Sequence, residues 1–169
     1  MKIPLRVLIV EDSEDDRELI LLELRRGNYA PDYLCVDTPE AMQSALESGE
    51  WDIILRDYSM PKFNGLPALR MAKAKDYEIP FIIISGTIGE EIAVMAMKSG
   101  AQDYIMKGNL QRLVPAVERE LKEYEIRKQR REALAELEES RTFFMAAMDN
   151  SAAGIIIAAA PDGKLLYVN

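Results

Sequence analysis

Three carboxylates in this chain stand where apolar runs end. LRVLIV (5–10) runs into Glu11 and Asp12, and IIL (53–55) runs into Arg56 and Asp57. Two further runs end on groups that complement acids: PFIIIS reaches Ser85 and Gly86, and DYIM reaches Lys107. If these runs are strands of one parallel sheet, three carboxylates, a hydroxyl and an ammonium share one edge. Acids so placed repel each other, and a hard divalent cation relieves the repulsion. Mg²⁺ takes one or two carboxylates, water and a phosphate oxygen. A lysine pairs with a carboxylate at rest and with a phosphoryl oxygen later. A serine hydroxyl donates to a second phosphoryl oxygen, and the backbone at Gly86 comes close enough to reach a third. Jointly these groups suit phosphoryl transfer to a carboxylate, with Asp57 as nucleophile. Taken singly, each has an ordinary reading. Glu11-Asp12 caps a helix, Asp57 caps a turn, Ser85 is a strand-end hydroxyl, and Lys107 is a surface charge.

The elements that must position these groups can be read from the pattern. Strands are expected at 5–10, 32–37, 51–55, 79–85 and 103–107. EDSEDDRELILLELRRG reads as a helix with Asp12 or Ser13 as its cap, acids in its first turn, Arg25 and Arg26 in its last, and Gly27 as its stop. TPEAMQSALESG opens on Thr38 with Pro39 at the first helical position. LPALRMAKAK and GEEIAVMAMKSG are the next helices, and a long one starts near Leu110. Strand and helix alternate, and the strands are continuous apolar runs. That pattern marks a parallel α/β sheet covered on both faces, with right-handed crossovers and a doubly wound order. Ligands in such sheets gather at the C-terminal ends of the strands.

Composition narrows the chemistry. The 169 residues contain no histidine, which removes Ser-His-Asp and Cys-His catalysis, His-based zinc sites and a phosphohistidine within this chain. The net charge of −8 argues against a basic face for nucleic acid. The single cysteine, Cys35, lies in apolar YLCV and reads as a small buried hydrophobe in a reducing compartment. MKIPLRVLIV turns acidic at once, unlike a secretory signal, and no apolar run spans a bilayer, so the expected location is the cytoplasm.

VLIVEDSEDD, DIILRDYSMPKFNG, PFIIISGT and GAQDYIMKGN together resemble the receiver domain of two-component response regulators, over residues 5–122. The resemblance implies a flavodoxin-like five-stranded sheet in the order 2-1-3-4-5. It implies that Glu11, Asp12, Asp57 and the backbone carbonyl of Ser59 hold Mg²⁺, or Mn²⁺ in its place. Asp57 then accepts the phosphoryl group from the phosphohistidine of a sensor histidine kinase or phosphotransfer protein. Ser85, Gly86 and Lys107 bind the phosphoryl oxygens, and Tyr104 is the switch aromatic that turns inward with Ser85. The readout face is the fourth helix, the fifth strand and the last helix. Four residues depart from the family pattern. Gly108 replaces the proline after the lysine, Ser85 replaces threonine, Gly86 replaces the alanine that follows, and Arg56 precedes the nucleophile. Strand alternation aims Arg56 away from Asp57's side.

The rest of the chain divides into a helical linker (123–148) and a segment (149–169) that resembles the opening of a PAS sensor domain, after a receiver at 1–122. Leu134, Leu137, Phe144 and Met148 fall on one stripe of the last helix, interrupted by Ile126 and RKQRR. The stripe reads either as part of a solvated single helix or as a coiled-coil-like seam for a second copy. A homodimer through this helix or through the readout face is therefore an expectation. SAAGIIIAAAPDGKLLYVN reads as strand, turn, strand. Two other functions compete with a phosphorylated switch. One is a docking module that works without phosphorylation. The other is a haloacid-dehalogenase-type phosphatase, which needs a second Asp two residues past its nucleophile, where Ser59 stands.

Overall fold

The computed structural model describes residues 2–60, 63, 79–86, 90–98, 100–150, 154, 156–158 and 165–168. The helix expected over LPALRMAKAK, the loop residues Pro61 and Gly65, and the turn at 161–163 lie outside the described residues. The chain divides into two compact units, Met1–Glu125 and Ile126–Asn169.

In the first unit, β1 (Ile3–Val10), β2 (Tyr29–Val36), β3 (Ile53–Asp57), β4 (Phe81–Ser85) and β5 (Asp103–Met106) form one sheet in the order β2-β1-β3-β4-β5. Every neighbouring pair is parallel. This is the expected doubly wound sheet and strand order. Helices α1 (Glu14–Arg26), α2 (Pro39–Ser48) and α3 (Glu90–Lys98) supply connections, and α4 (Leu113–Asp149) follows β5 after a 3-10 turn at Lys107–Arg112.

Burial along the strands follows their place in the sheet. β3 and β4 are buried at every position, as strands covered on both faces must be. β2 is an edge strand, and Tyr33 and Leu34 are exposed on it. Alternation sends Leu8, Val10, Ile54, Phe81 and Ile83 to a core shared with Met42, Ala45 and Leu46 of α2. The opposite face places Val7, Ile9, Ile53, Leu55, Ile82, Ile84 and Ile105 against Ile20, Leu21 and Leu24 of α1 and Leu113, Ala116 and Val117 of α4. Each such aliphatic side chain contributes roughly 1.5–3 kcal/mol on leaving water, so the central strands are the rigid part of the domain.

The helix signals act locally as read. Ser13 caps α1, its hydroxyl accepting from the Asp16 amide at 3.3 Å. Thr38 caps α2 by accepting from the Ala41 amide at 3.3 Å. A Cβ on Gly27 would come within 2.5 Å of Val114, so glycine here permits the close approach of α1's end to α4.

Several boundaries differ from expectation. β2 begins at Tyr29, earlier than 32, because Tyr29 pairs with Ile3 and Pro31 is tolerated on an edge strand. β3 begins at Ile53, two residues after Trp51, and ends on Asp57 as the strand-end reading requires. Lys107 is not the last residue of β5 but the first of the 3-10 turn, which also delays α4 from Leu110 to Leu113. Within that turn the backbone leaves helical values at Asn109 (φ −138°, ψ 48°), and Gly108 has no positive φ.

In the second unit, β6 (Ile156–Ala158) and β7 (Leu165–Val168) pair antiparallel with a register shift after Ile157. The Tyr167 hydroxyl donates to Asp149 at the end of α4. Leu134, Leu137 and Phe144 are exposed, whereas Met148 is buried.

Candidate functional site

Register brings the chemistry to one edge. Asp57 is opposite Ile84, and Val10 is opposite Arg56, so Glu11 follows β1 at the level of Asp57. Ser85 pairs with Met106, which puts Lys107 one step beyond the buried Ser85. Oxygens of Glu11, Asp12 and Asp57 all lie within 4.8 Å of one another. Glu11 and Asp57 are buried, and Asp12 is exposed. A set of three close carboxylate oxygens at a solvent-facing rim fits a hard divalent cation.

Lys107 organises the cluster. Its Nζ donates to Glu11 Oε2 at 3.0 Å, Asp57 Oδ2 at 2.9 Å and Asp16 Oδ2. Burial works against the ammonium, but Asp16, Asp57 and Glu11 outweigh it and hold its pKa above the usual lysine value. The second oxygens are also held. Glu11 Oε1 accepts from the Ser13 amide at 2.9 Å, and Asp57 Oδ1 accepts from the Ser59 amide at 3.0 Å. Burial raises the Glu11 pKa, and the charge of Asp57 adds to the rise, against the bonds from Ser13 and Lys107.

The expected site residues fall into two groups. Glu11, Asp12, Asp57 and Lys107 come together directly. Ser85 and Gly86 stand at the same edge, and a Cβ on Gly86 would meet only Lys107 Cδ at 3.7 Å, an ordinary contact. Glycine is thus not forced at 86 by crowding. Tyr104, half-buried on β5, packs on the other face of the sheet, with Ile83 and Phe63.

Two features went unread in the sequence. Asp16 is a partner of Lys107, and its only sequence signal, an acid in the first turn of α1, is equally explained by the helix dipole. Arg56 does aim away from Asp57, as alternation requires, but it is fully buried. It donates to the Phe63 carbonyl, and its guanidinium lies 4.1 Å from the Phe63 ring centroid. Its Nε and Nη1 find no hydrogen-bond partner among the described residues. Burial pushes the Arg56 pKa down to about 10, with the charge of Asp57 acting the other way.

The family model described as the response regulator receiver domain matches residues 7–118. The transcriptional regulatory protein PrrA of Mycobacterium tuberculosis is 31% identical over 105 residues, which make up 60% of this chain and 43% of PrrA. The chemotaxis protein CheY1 of Helicobacter pylori is 29% identical over 105 residues, 61% of this chain and 85% of CheY1. The crystal structure of FixJ-N superposes with a TM-score of 0.61 at 28% identity, covering 70% of this chain and 94% of that one. The chain therefore spans less than half the length of PrrA.

Proposed function

The chain belongs to the response regulator receiver family, and from that premise we propose that it is a phosphoacceptor switch whose nucleophile is Asp57. The observation that carries this reading is the state of Asp57. It ends a fully buried strand, its two oxygens rest on Lys107 and Ser59, and two further carboxylates stand beside it.

In this reading Glu11, Asp12, Asp57 and the carbonyl of Ser59 hold Mg²⁺, or Mn²⁺. The bound cation supplies charge neutralisation between the carboxylates and an incoming phosphoryl group. Asp57 attacks phosphorus with a carboxylate oxygen as the bond from phosphorus to the donor's histidine nitrogen breaks, and the freed imidazole takes up a proton from water. Lys107 gives up its bond to Asp57 and donates to a phosphoryl oxygen, where the Ser85 hydroxyl and the Gly86 amide also donate. Ser85 moving towards the phosphoryl group opens space for Tyr104 to turn inward, which shifts the population of the α3–β5–α4 face. The donor is a sensor histidine kinase or phosphotransfer protein in the cytoplasm.

The remainder follows the same logic. Residues 1–122 form the receiver, 123–148 a helical linker and 149–169 the start of a PAS-like domain. The exposed Leu134, Leu137 and Phe144 would seat a second copy in a coiled-coil-like homodimer. Among the described residues no helix is long and apolar enough to cross a membrane.

Intact-mass spectrometry tests the reading. The native chain, incubated with Mg²⁺ and a small phosphodonor, gains one phosphoryl group, and Asp57→Asn gains none. Equal labelling of both would move the nucleophile elsewhere. No labelling of either, with divalent binding intact, would favour the docking module.

A further inference from the structure

We propose that Asp16 is the positioning residue for Lys107: it retains the lysine at the site when Glu11 and Asp57 are given to a divalent cation. The inference rests on the receiver reading and deepens it.

The geometry separates the three partners of Lys107 into two kinds. Glu11 and Asp57 belong to the group whose oxygens lie within 4.8 Å of one another, and Asp16 stands outside that group. Two of the carboxylates that Lys107 holds, Glu11 and Asp57, are therefore ones a cation would draw on, and the third, Asp16, is not. Two cations cannot share the same pair of carboxylates cheaply, because like charges a few ångströms apart repel strongly in a partly buried site. Lys107 keeps Asp16 as its carboxylate and remains within reach of a phosphoryl group bound to Asp57.

Asp16 is also held in place. Its amide donates to Ser13 Oγ, and the Ser13 amide donates to Glu11 Oε1. Ser13 thus ties the end of β1 to the first turn of α1, the two segments that carry Glu11 and Asp16. Asp16 is about one-third exposed, while Glu11 and Asp57 are nearly inaccessible, so it adds a counter-charge with little desolvation cost.

The test is Mn²⁺ binding followed by electron paramagnetic resonance on the full chain. Five proteins are compared: native, Asp16→Asn, Asp16→Glu, Lys107→Met and the Asp16→Asn/Lys107→Met double variant. Without Asp16 the metal-bound state leaves Lys107 with no carboxylate, so D16N weakens Mn²⁺ binding about tenfold, the worth of one charge-assisted hydrogen bond. In the Lys107→Met background the same substitution costs severalfold less than in the native one, because there only a through-space charge, about one-third exposed, is lost. Asp16→Glu, which keeps the charge and the reach, retains native affinity. Equal losses in both backgrounds would make Asp16 a plain negative charge and overturn the proposal, as would no loss in either. A native chain that binds Mn²⁺ and is labelled at Asp57 while D16N changes nothing overturns only the role of Asp16. A native chain that neither binds Mn²⁺ nor is labelled overturns the receiver reading and this inference with it.

Discussion

Lys107 and Arg56 are both drawn inward around Asp57, and their surroundings treat them oppositely. Lys107 meets three carboxylates and its pKa rises. Arg56 is bonded to Asp57 through the chain, yet among the described residues it meets a carbonyl and a ring, and its pKa falls to about 10. One step along β3 carries the side chain to the opposite face of the sheet. Asp57 therefore joins the acidic edge, while its neighbour enters the core with Phe63. Proximity in sequence does little for a buried charge; the groups it can touch after folding decide whether it is stabilised.

The largest way to break the contrast is to remove the better-paired cation. Lys107→Met should cut phosphoryl uptake by about 10²–10³-fold, the usual cost of losing one preorganised donor. Without divalent cation it should also lower stability by about 1–3 kcal/mol, because Glu11 and Asp57 lose their ammonium. Mn²⁺ should restore that stability in thermal melts, since binding to the folded state alone raises it. Unchanged melting without metal would mean that the lysine does not hold the acids together.

Replacing the poorly paired cation should act in the other direction. Arg56→Met fills similar volume without a buried charge, so denaturant unfolding should show a gain of about 1–3 kcal/mol. Arg56→Ala leaves a cavity and releases Phe63, and should lose about as much. Equal losses in the two variants would show that the Phe63 contacts outweigh the desolvation of the guanidinium.

The smallest effect is a pH dependence that sharpens the same contrast. The folded pKa of Arg56, about 10, lies below its ordinary value of 12.5. Between those values the unfolded chain binds more protons at this site than the folded chain, so stability from this group rises with pH. The advantage of Arg56→Met over the native chain should narrow as pH goes from about 9 to about 11. Comparing the two proteins cancels the lysines and tyrosines that titrate in both. A constant gap would place the Arg56 pKa outside this range.

Much of the sheet was legible because its signals are local and repeated. The apolar runs, the caps Ser13 and Thr38 and the alternation of elements each report on a few neighbouring residues. The edge strand begins at Tyr29, three residues before the expected 32, because pairing with β1 carries it through Pro31, whose missing amide costs little on an edge. Lys107 was placed at a strand end, but the backbone turns one residue earlier, into a 3-10 turn. Asp16 was hidden among the acids that α1's first turn would hold in any case.

By itself the sequence determined the sheet, the edge that bears the acids, and the side of β3 to which Asp57 belongs. These follow from strand periodicity and from the rule that parallel strands end together. Only the tertiary structure decided that Lys107 spans Glu11, Asp16 and Asp57, and that Arg56 lies buried against Phe63. Those contacts join residues from β1, α1, β3 and the turn after β5. Which of them touch depends on register and on the paths of connecting loops, and no local pattern encodes that distance.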